Sequence, residues 1–347
     1  MNPTEIVSVI YNVPHDIPLK WQIATYFFLT GISAASFLIS TLAYVFGMAQ
    51  FKPAGRIGAV LAPIVLIIAP LFLIIDLEQP FRFVNLLYMW NFRSPVTWGT
   101  FLLTLYPINC LVYLYFIHRA EGTTTLHPEA TQNVKRMALQ PIAGASQAAV
   151  PGETHPGARM WMRFFGTLGI PLAIMVHGYT GFIVGLGQGR AMWNVSLMPM
   201  YFLISAMVSG TALLIVLCIL KEKVLGHNAT VNRYFPSVPP SLVHNLGKIL
   251  LGFIVLDFMF VLSEILVLTS SRPDDYAAAM LLLKGGFAPL FVGVEVILGL
   301  FVPFFILILP RLNRSMAALS VASILVLIGV YAMRFVTVVG GQTIPLN

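Results

Sequence analysis

Long apolar stretches alternate along this chain with short connections that hold most of the charge. Eight such stretches run over about 22–49, 56–79, 94–119, 160–186, 196–221, 243–270, 286–310 and 315–339. Crossing about 30 Å of hydrocarbon takes around 20 helical residues, so each is long enough to span a bilayer. Apolar side chains run all round each stretch rather than along one stripe, as helices in lipid require. The alternation of a membrane β-barrel is absent. The pattern predicts an all-α fold: a polytopic integral membrane bundle of about eight transmembrane helices, forming one domain over 1–347. The N-terminus carries no basic n-region and no small-residue cleavage site, so the first span is expected to stay as a helix.

Composition agrees with the pattern. Hydrophobic residues make up 58% of the 347 residues and charged residues 10%, with a mean hydropathy of +0.86. A water-soluble domain would carry about a quarter charged residues. The net charge of +7 reads as basic cytoplasmic loops rather than as a nucleic-acid surface. Cys110 and Cys218 both fall inside predicted spans and form no metal-ligand spacing, which supports neither a disulfide framework nor a cluster site.

The basic residues also set the sidedness. The loops joining spans 1–2, 3–4, 5–6 and 7–8 share one face with Lys52, Arg56, Arg119, Lys135, Arg136, Arg159, Arg163, Lys221, Lys223, Arg233, Lys248, Arg311 and Arg314. The opposite face holds Lys20, Arg82, Arg93, Arg190, Arg272, Lys284 and Arg334. Thirteen against seven of the twenty puts the first face in the cytoplasm and both termini on the periplasmic side. The longest polar segment, 120–159, is rich in Thr, Ala, Gln, Pro and Gly and reads as a cytoplasmic linker. It leaves three spans before it and five after, so it marks no domain boundary, and no internal repeat is visible. The run Gly185–Gly189 has neither a preceding strand nor a following Gly-Lys-Ser/Thr. It reads as the unwinding end of the fourth helix rather than as a phosphate loop.

Ionisable side chains inside a span cost about 2.5–3.5 kcal/mol each at a helix centre, and this makes them functional candidates. Here they are Asp76, His177, Asp257, Glu264, Glu295 and Arg334. Asp257 and Glu264 are seven residues apart, hence on one face of the sixth helix and about 10 Å apart along it. Most of the group falls in the outer half of the membrane, with Asp257 and Glu295 near mid-depth, and Asp76, Asp257, Glu264, Glu295 and Arg334 would form a proton-transfer set open to the outer face. The structural alternative is ion pairing between helices, for instance Arg334 with Glu264 or Asp76. A bis-histidine haem would need a second histidine at the depth of His177, and no other span supplies one. His118 and His244 lie near cytoplasmic helix ends and read as interfacial.

In order, several motifs resemble the polysulfide reductase membrane-subunit family, often called NrfD/PsrC-like. They are Trp21-Gln-Ile-Ala-Thr-Tyr-Phe-Phe-Leu-Thr-Gly31 with Ala34-Ala35, Asp76-Leu-Glu-Gln-Pro80-Phe-Arg82-Phe83, and Ser94-Pro95-Val-Thr-Trp98-Gly99. His177-Gly-Tyr179-Thr180-Gly181 and Pro199-Met-Tyr-Phe202-Leu-Ile-Ser205 with Ser209-Gly210 follow. Together they cover roughly residues 12–215, and the last three helices match mainly in hydropathy. Where the family often has glycine after Gly31, this chain has Ala34-Ala35.

The resemblance implies a membrane anchor and quinol-oxidising (or quinone-reducing) subunit of a respiratory oxidoreductase complex, a setting of anaerobic respiration, in the bacterial cytoplasmic (inner) membrane. Its electrons would pass between menaquinone or ubiquinone and an iron–sulfur (ferredoxin-like) partner subunit at the periplasmic face, with a molybdopterin catalytic subunit beyond. The implied complexes are reductases of polysulfide, thiosulfate or tetrathionate type, and no haem or metal is expected in this chain. Carried over residue by residue, the quinone site would use Asn12 or His15 before the first helix and Tyr179 in the fourth, with His177 beside it. Independently, a quinone headgroup needs hydrogen bonds to two oxygens and a route for two protons, which histidine, tyrosine and a carboxylate supply. A reading from another class is a secondary transporter or proton channel relaying protons through Asp257, Glu264 and Glu295. It would be favoured by Gly/Pro breaks in two matching spans, which are not evident.

Overall fold

The computed structural model describes residues 18–77, 79–121, 156–187, 189–226, 228–270 and 273–343. Asn12, His15 and nearly all of the 120–159 linker lie outside the described residues. Among those described, eight helices are long and apolar enough to cross a membrane. They are α1 (Trp21–Tyr44), α2 (Lys52–Asp76), α3 (Pro95–Glu121), α4 (Pro156–Gly185), α5 (Met198–Leu220), α6 (Pro240–Ser270), α7 (Pro289–Phe301, running on through Val302–Ile308) and α8 (Met316–Phe335). Several start with proline in the first turn, where its missing N–H would have had no partner anyway. The Ser315 side chain caps α8 by accepting from the Ala318 amide.

The first helix is shorter than its apolar run suggests. Phe46 and Met48 keep the hydropathy high, but the chain turns at Gly47, whose φ of 74° is left-handed. The Phe46 and Met48 amides bond back to the Thr41 and Leu42 carbonyls, so the helix closes five residues before the expected end. At its other end α4 stops at Gly185, as its glycine-rich exit predicts.

Packing divides the span helices into two rings of four. In one, α1–α2, α2–α3, α3–α4 and α4–α1 touch, and in the other α5–α6, α6–α7, α7–α8 and α8–α5 do so. The rings meet chiefly where α5 lies against α1 and α4, with α8 also touching α1. The repeat is one of packing rather than of residues, which is why the sequence does not display it. The boundary falls after α4, not at the long polar linker between α3 and α4.

Small residues bring the central helices together, as expected in lipid. A Cβ on Gly31 would sit 3.4 Å from the Ala206 Cβ, and Ala34 and Ala35 are fully buried beside Ala206. Alanine in place of glycine there still permits the close crossing. The α1–α2 contact is tighter. A Cβ on Gly58 would overlap the Ser36 carbonyl oxygen, which is backbone and cannot swing away. Gly58→Ala is therefore expected to cost about 1–3 kcal/mol, read as a lower thermal unfolding midpoint in detergent. An unchanged midpoint would contradict this packing.

Outward faces carry large apolar side chains, such as Ile64, Ile67, Leu71 and Ile75 on α2. Prolines inside α2, α3 and α4, at Pro63, Pro70, Pro107 and Pro171, are absorbed without ending those helices. At the end of the bundle that holds the α1–α2 and α5–α6 connections, Arg56 pairs with Glu121, and Lys221 binds Glu222, Asn232 and the Pro236 carbonyl.

Candidate functional site

At the other end of the bundle the chain closes on itself. The Gln342 amide donates to the Leu19 carbonyl at 2.7 Å, and its oxygen accepts from the Leu19 amide at 3.0 Å. Arg190, in the connection between α4 and α5, donates to the Gln342 carbonyl. Burial holds its pKa below the usual guanidinium value. The Trp193 indole donates to the Thr337 carbonyl, which the widened π turn Val336–Gly340 leaves available at the end of α8. Asp76, at the end of α2, lies beside Lys20. The entry to α1, the exit of α8 and the end of α2 thus share one end of the bundle.

Tyr179 belongs to the same end. It is half-buried, and its ring lies against Gly99 of α3 so closely that a Cβ there would overlap the ring and hydroxyl. Tyr179 is also an electrostatic neighbour of Tyr26 on α1. One turn or less away, His177 is fully buried. Its Nε2 is 3.4 Å from Ser33 Oγ, and the Ser33 proton is committed to the Thr30 carbonyl at 2.7 Å. With its proton so engaged, the serine oxygen is available to accept from Nε2, while Nδ1 has no hydrogen-bond partner. Tyr106 meets the imidazole edge-on at 6.1 Å, with Ser33 and Cys110 beside its hydroxyl.

The second ring holds a separate and more charged group. Asp257 and Glu264 on α6, Glu295 on α7 and Arg334 on α8 are all buried. The Tyr201 hydroxyl on α5 donates to Glu295 Oε1 at 3.0 Å. Arg334 Nη2 donates to Ser205 Oγ at 2.6 Å and to the Phe202 carbonyl at 2.9 Å, and its guanidinium lies 3.8 Å over the Phe202 ring. Arg334 Nε and Nη1 and one Asp257 carboxylate oxygen have no hydrogen-bond partner. Arg334 nonetheless acts electrostatically on both Asp257 and Glu295. Glu264 lines a small cleft of about 10 Å³ with Val195, Leu197, Met198, Tyr201 and Phe260, at the lower limit for one water. Glu295 sits midway along the π-helical stretch Pro289–Phe301, where the wider turn re-aims side chains.

Of the residues singled out from sequence, the fold brings Asp257, Glu264, Glu295 and Arg334 into one cluster. It leaves Asp76 apart, beside Lys20, and puts His177 and Tyr179 in the first ring. Arg334 does not form the ion pair with Glu264 or Asp76 that is the structural alternative to proton transfer. Its hydrogen bonds go to a serine and a backbone carbonyl. Phe27 and Phe202 meet edge-on at 5.4 Å across the ring boundary, and Arg334 is near enough to act electrostatically on His177. In the sequence Tyr201 and Ser205 stand only within the family motif, with no role assigned, and Gln342, Ser33 and Tyr106 are given none. Tyr201 and Ser205 are one turn apart on α5 and share a face, the only local sign that both look the same way. An apolar cavity of about 210 Å³ between α6 and α7, lined by Ile254, Phe258, Leu300 and Phe304 among others, has room for an acyl or isoprenoid chain. Among the described residues, no three His, Cys, Asp or Glu side chains come together as metal ligands.

Residues 11–345 match the family described as polysulphide reductase, NrfD. The match runs on through α6–α8, beyond the residues that carry the motifs. The chain is 31% identical over 251 residues to a subunit of the selenate reductase of Mesobacillus selenatarsenatis, an alignment covering 71% of this chain and 55% of that relative. It thus spans little more than half the length of that protein. It is 24% identical to the Hdr-like menaquinol oxidoreductase integral membrane subunit of Archaeoglobus fulgidus, over 92% of this chain and 69% of the relative. With one of the polypeptides of the polysulfide reductase of Wolinella succinogenes the identity is 29%, over 93% of this chain and 94% of the relative.

Proposed function

Because this chain belongs to the polysulphide reductase NrfD family, we propose that it is the membrane anchor and quinol-oxidising (or quinone-reducing) subunit of a respiratory oxidoreductase complex. The observation that carries the reading is Tyr179, half-buried over Gly99 at the end of the bundle where α1 begins. A headgroup seated there would meet a hydroxyl that can donate or accept, with Asp76 at the same end and Asn12 and His15 a few residues before α1. Relatives named for menaquinol and for reductase subunits support the same chemistry.

The bound quinol supplies two electrons and two protons. The electrons pass to an iron–sulfur partner docked at the periplasmic face, with a molybdopterin subunit beyond it. The charge count supports that side, in the bacterial cytoplasmic membrane. Glu264, at its cleft, is the mouth of a proton route that continues through Glu295, held by Tyr201, to Asp257 beside Arg334.

The carboxylate cluster gives a second reading its own support. Lying in the ring that does not hold Tyr179, it could serve a secondary transporter or proton channel. Purification from the native membrane in mild detergent separates the two. A cysteine-rich ferredoxin-like polypeptide recovered with the chain is the expected result. A chain recovered alone, repeatedly, would overturn the respiratory reading in favour of the transporter.

A further inference from the structure

Between α2 and α3 the chain makes a 3-10 turn, Pro80–Val84, and a short helix, Asn85–Tyr88, neither of which has a buried residue. Yet this connection is strongly apolar. Phe81 is 91% exposed, and Tyr88, Met89, Trp90 and Phe92 are each more than half exposed. A water-facing loop of that composition would be a liability, since contiguous apolar surface of this kind marks a contact site. We infer that residues 79–94 are an interfacial element that lies in the lipid at the headgroup–acyl boundary.

Three observations select lipid over a protein partner. First, the surface is continuous with faces that lipid must already cover: Ile68, Leu71 and Ile75 on α2 are exposed and lead into exposed Leu77, and α3 resumes with exposed Val96. Second, the polar atoms of its aromatic side chains are satisfied from within. The Trp90 indole donates to the Leu87 carbonyl at 2.9 Å, the Trp98 indole to the Phe92 carbonyl at 3.0 Å, and the Tyr88 hydroxyl to Asn85 Oδ1 at 2.7 Å. Such rings can enter an apolar phase without leaving a donor unmet. Third, the charges between Gln79 and Ser94 are Arg82 and Arg93, whose long stems can lie along lipid while the heads reach phosphate. Tryptophan and tyrosine concentrate at this depth in membrane proteins. The depth is bounded on the inside too, because irregular backbone is not tolerated in the hydrocarbon itself. Trp90 and Phe92 of the element both pack on Phe101 of α3, Phe92 stacked on it at 6.0 Å, so the element lies as a formed unit on the start of α3.

Spin labels at Phe81→Cys and Phe92→Cys test this in the full-length chain with its copurifying subunits attached. Buried Cys110 and Cys218 are replaced by alanine, and the vesicles are phosphatidylcholine with phosphatidylglycerol. Collisions with oxygen should exceed those with a water-soluble nickel chelate at both positions, as at Ile67→Cys in the middle of α2. A bias toward the nickel chelate would put the segment in water and overturn the inference. So would exclusion of both reagents that is relieved when the other subunits are stripped, which would make it a protein docking surface. Tryptophan fluorescence needs no cysteine variant: lipids brominated near the headgroup end of their chains should quench the parent, and Trp90→Phe should lose part of that quenching. Quenching identical in the two proteins would count against insertion.

Discussion

Arg334→Met is expected to lower stability in detergent more than any other single change in the second ring. The loss should be about 3–5 kcal/mol, the usual cost of removing one partner from a buried charged group. The guanidinium is 1% exposed, and Nη2 alone satisfies Ser205 and the Phe202 carbonyl. Methionine fills much of the volume but returns neither bond. It also leaves Asp257, Glu264 and Glu295 with no cation in an apolar interior, where an unpaired charge is far costlier than in water. Arg334→Lys should recover only part of the loss. An ammonium carries the charge but has no planar fork to lie on Phe202 while bonding both oxygens. If the guanidinium acts as counter-charge, adding Asp257→Asn to Arg334→Met should return a measurable part of the stability. Thermal unfolding midpoints of the parent, Arg334→Met, Arg334→Lys, Asp257→Asn and the double variant decide this. A single variant as stable as its parent, or a double variant simply additive, would mean that Arg334 is held by packing and not by its charge.

That arrangement marks where sequence reading stops. The eight spans are legible because hydropathy over about 20 residues needs no knowledge of neighbours. The end of α1 is not, since Phe46 and Met48 look like more of the same helix and only the backbone at Gly47 ends it. Seven-residue spacing correctly puts Asp257 and Glu264 on one face of α6, both turned inward. What they meet depends on how α5, α7 and α8 stack on α6, and no local pattern encodes it. Tyr201 and Glu295 are 94 residues apart yet within hydrogen-bond distance. Arg334 shows the limit of depth as a guide. Its nearness to the acids was legible, but its bonding partners, a serine and a main-chain oxygen, have no charge to draw attention to them.

At the other polar centre, Tyr179→Phe is expected to cut quinol oxidation by about 100-fold or more, within the range of a positioned proton donor or acceptor. Assembly with the copurifying subunits should stay intact, because phenylalanine keeps the ring that lies over Gly99. Gly99→Ala makes the sharper test, as it removes no polar atom from the protein. The new Cβ would overlap the Tyr179 ring and hydroxyl, so the ring must leave its position and the hydroxyl its geometry. A comparable fall in turnover should follow, although nothing that touches the substrate has been deleted. If both changes act through the one hydroxyl, their effects must not add: Gly99→Ala placed on Tyr179→Phe displaces a ring that has already lost its oxygen. Steady-state quinol oxidation by the parent, the two single variants and the double variant closes the cycle. Unchanged turnover in Tyr179→Phe removes the hydroxyl from the chemistry. Full additivity would mean that alanine at position 99 disturbs the entry to α3 by a route that bypasses Tyr179.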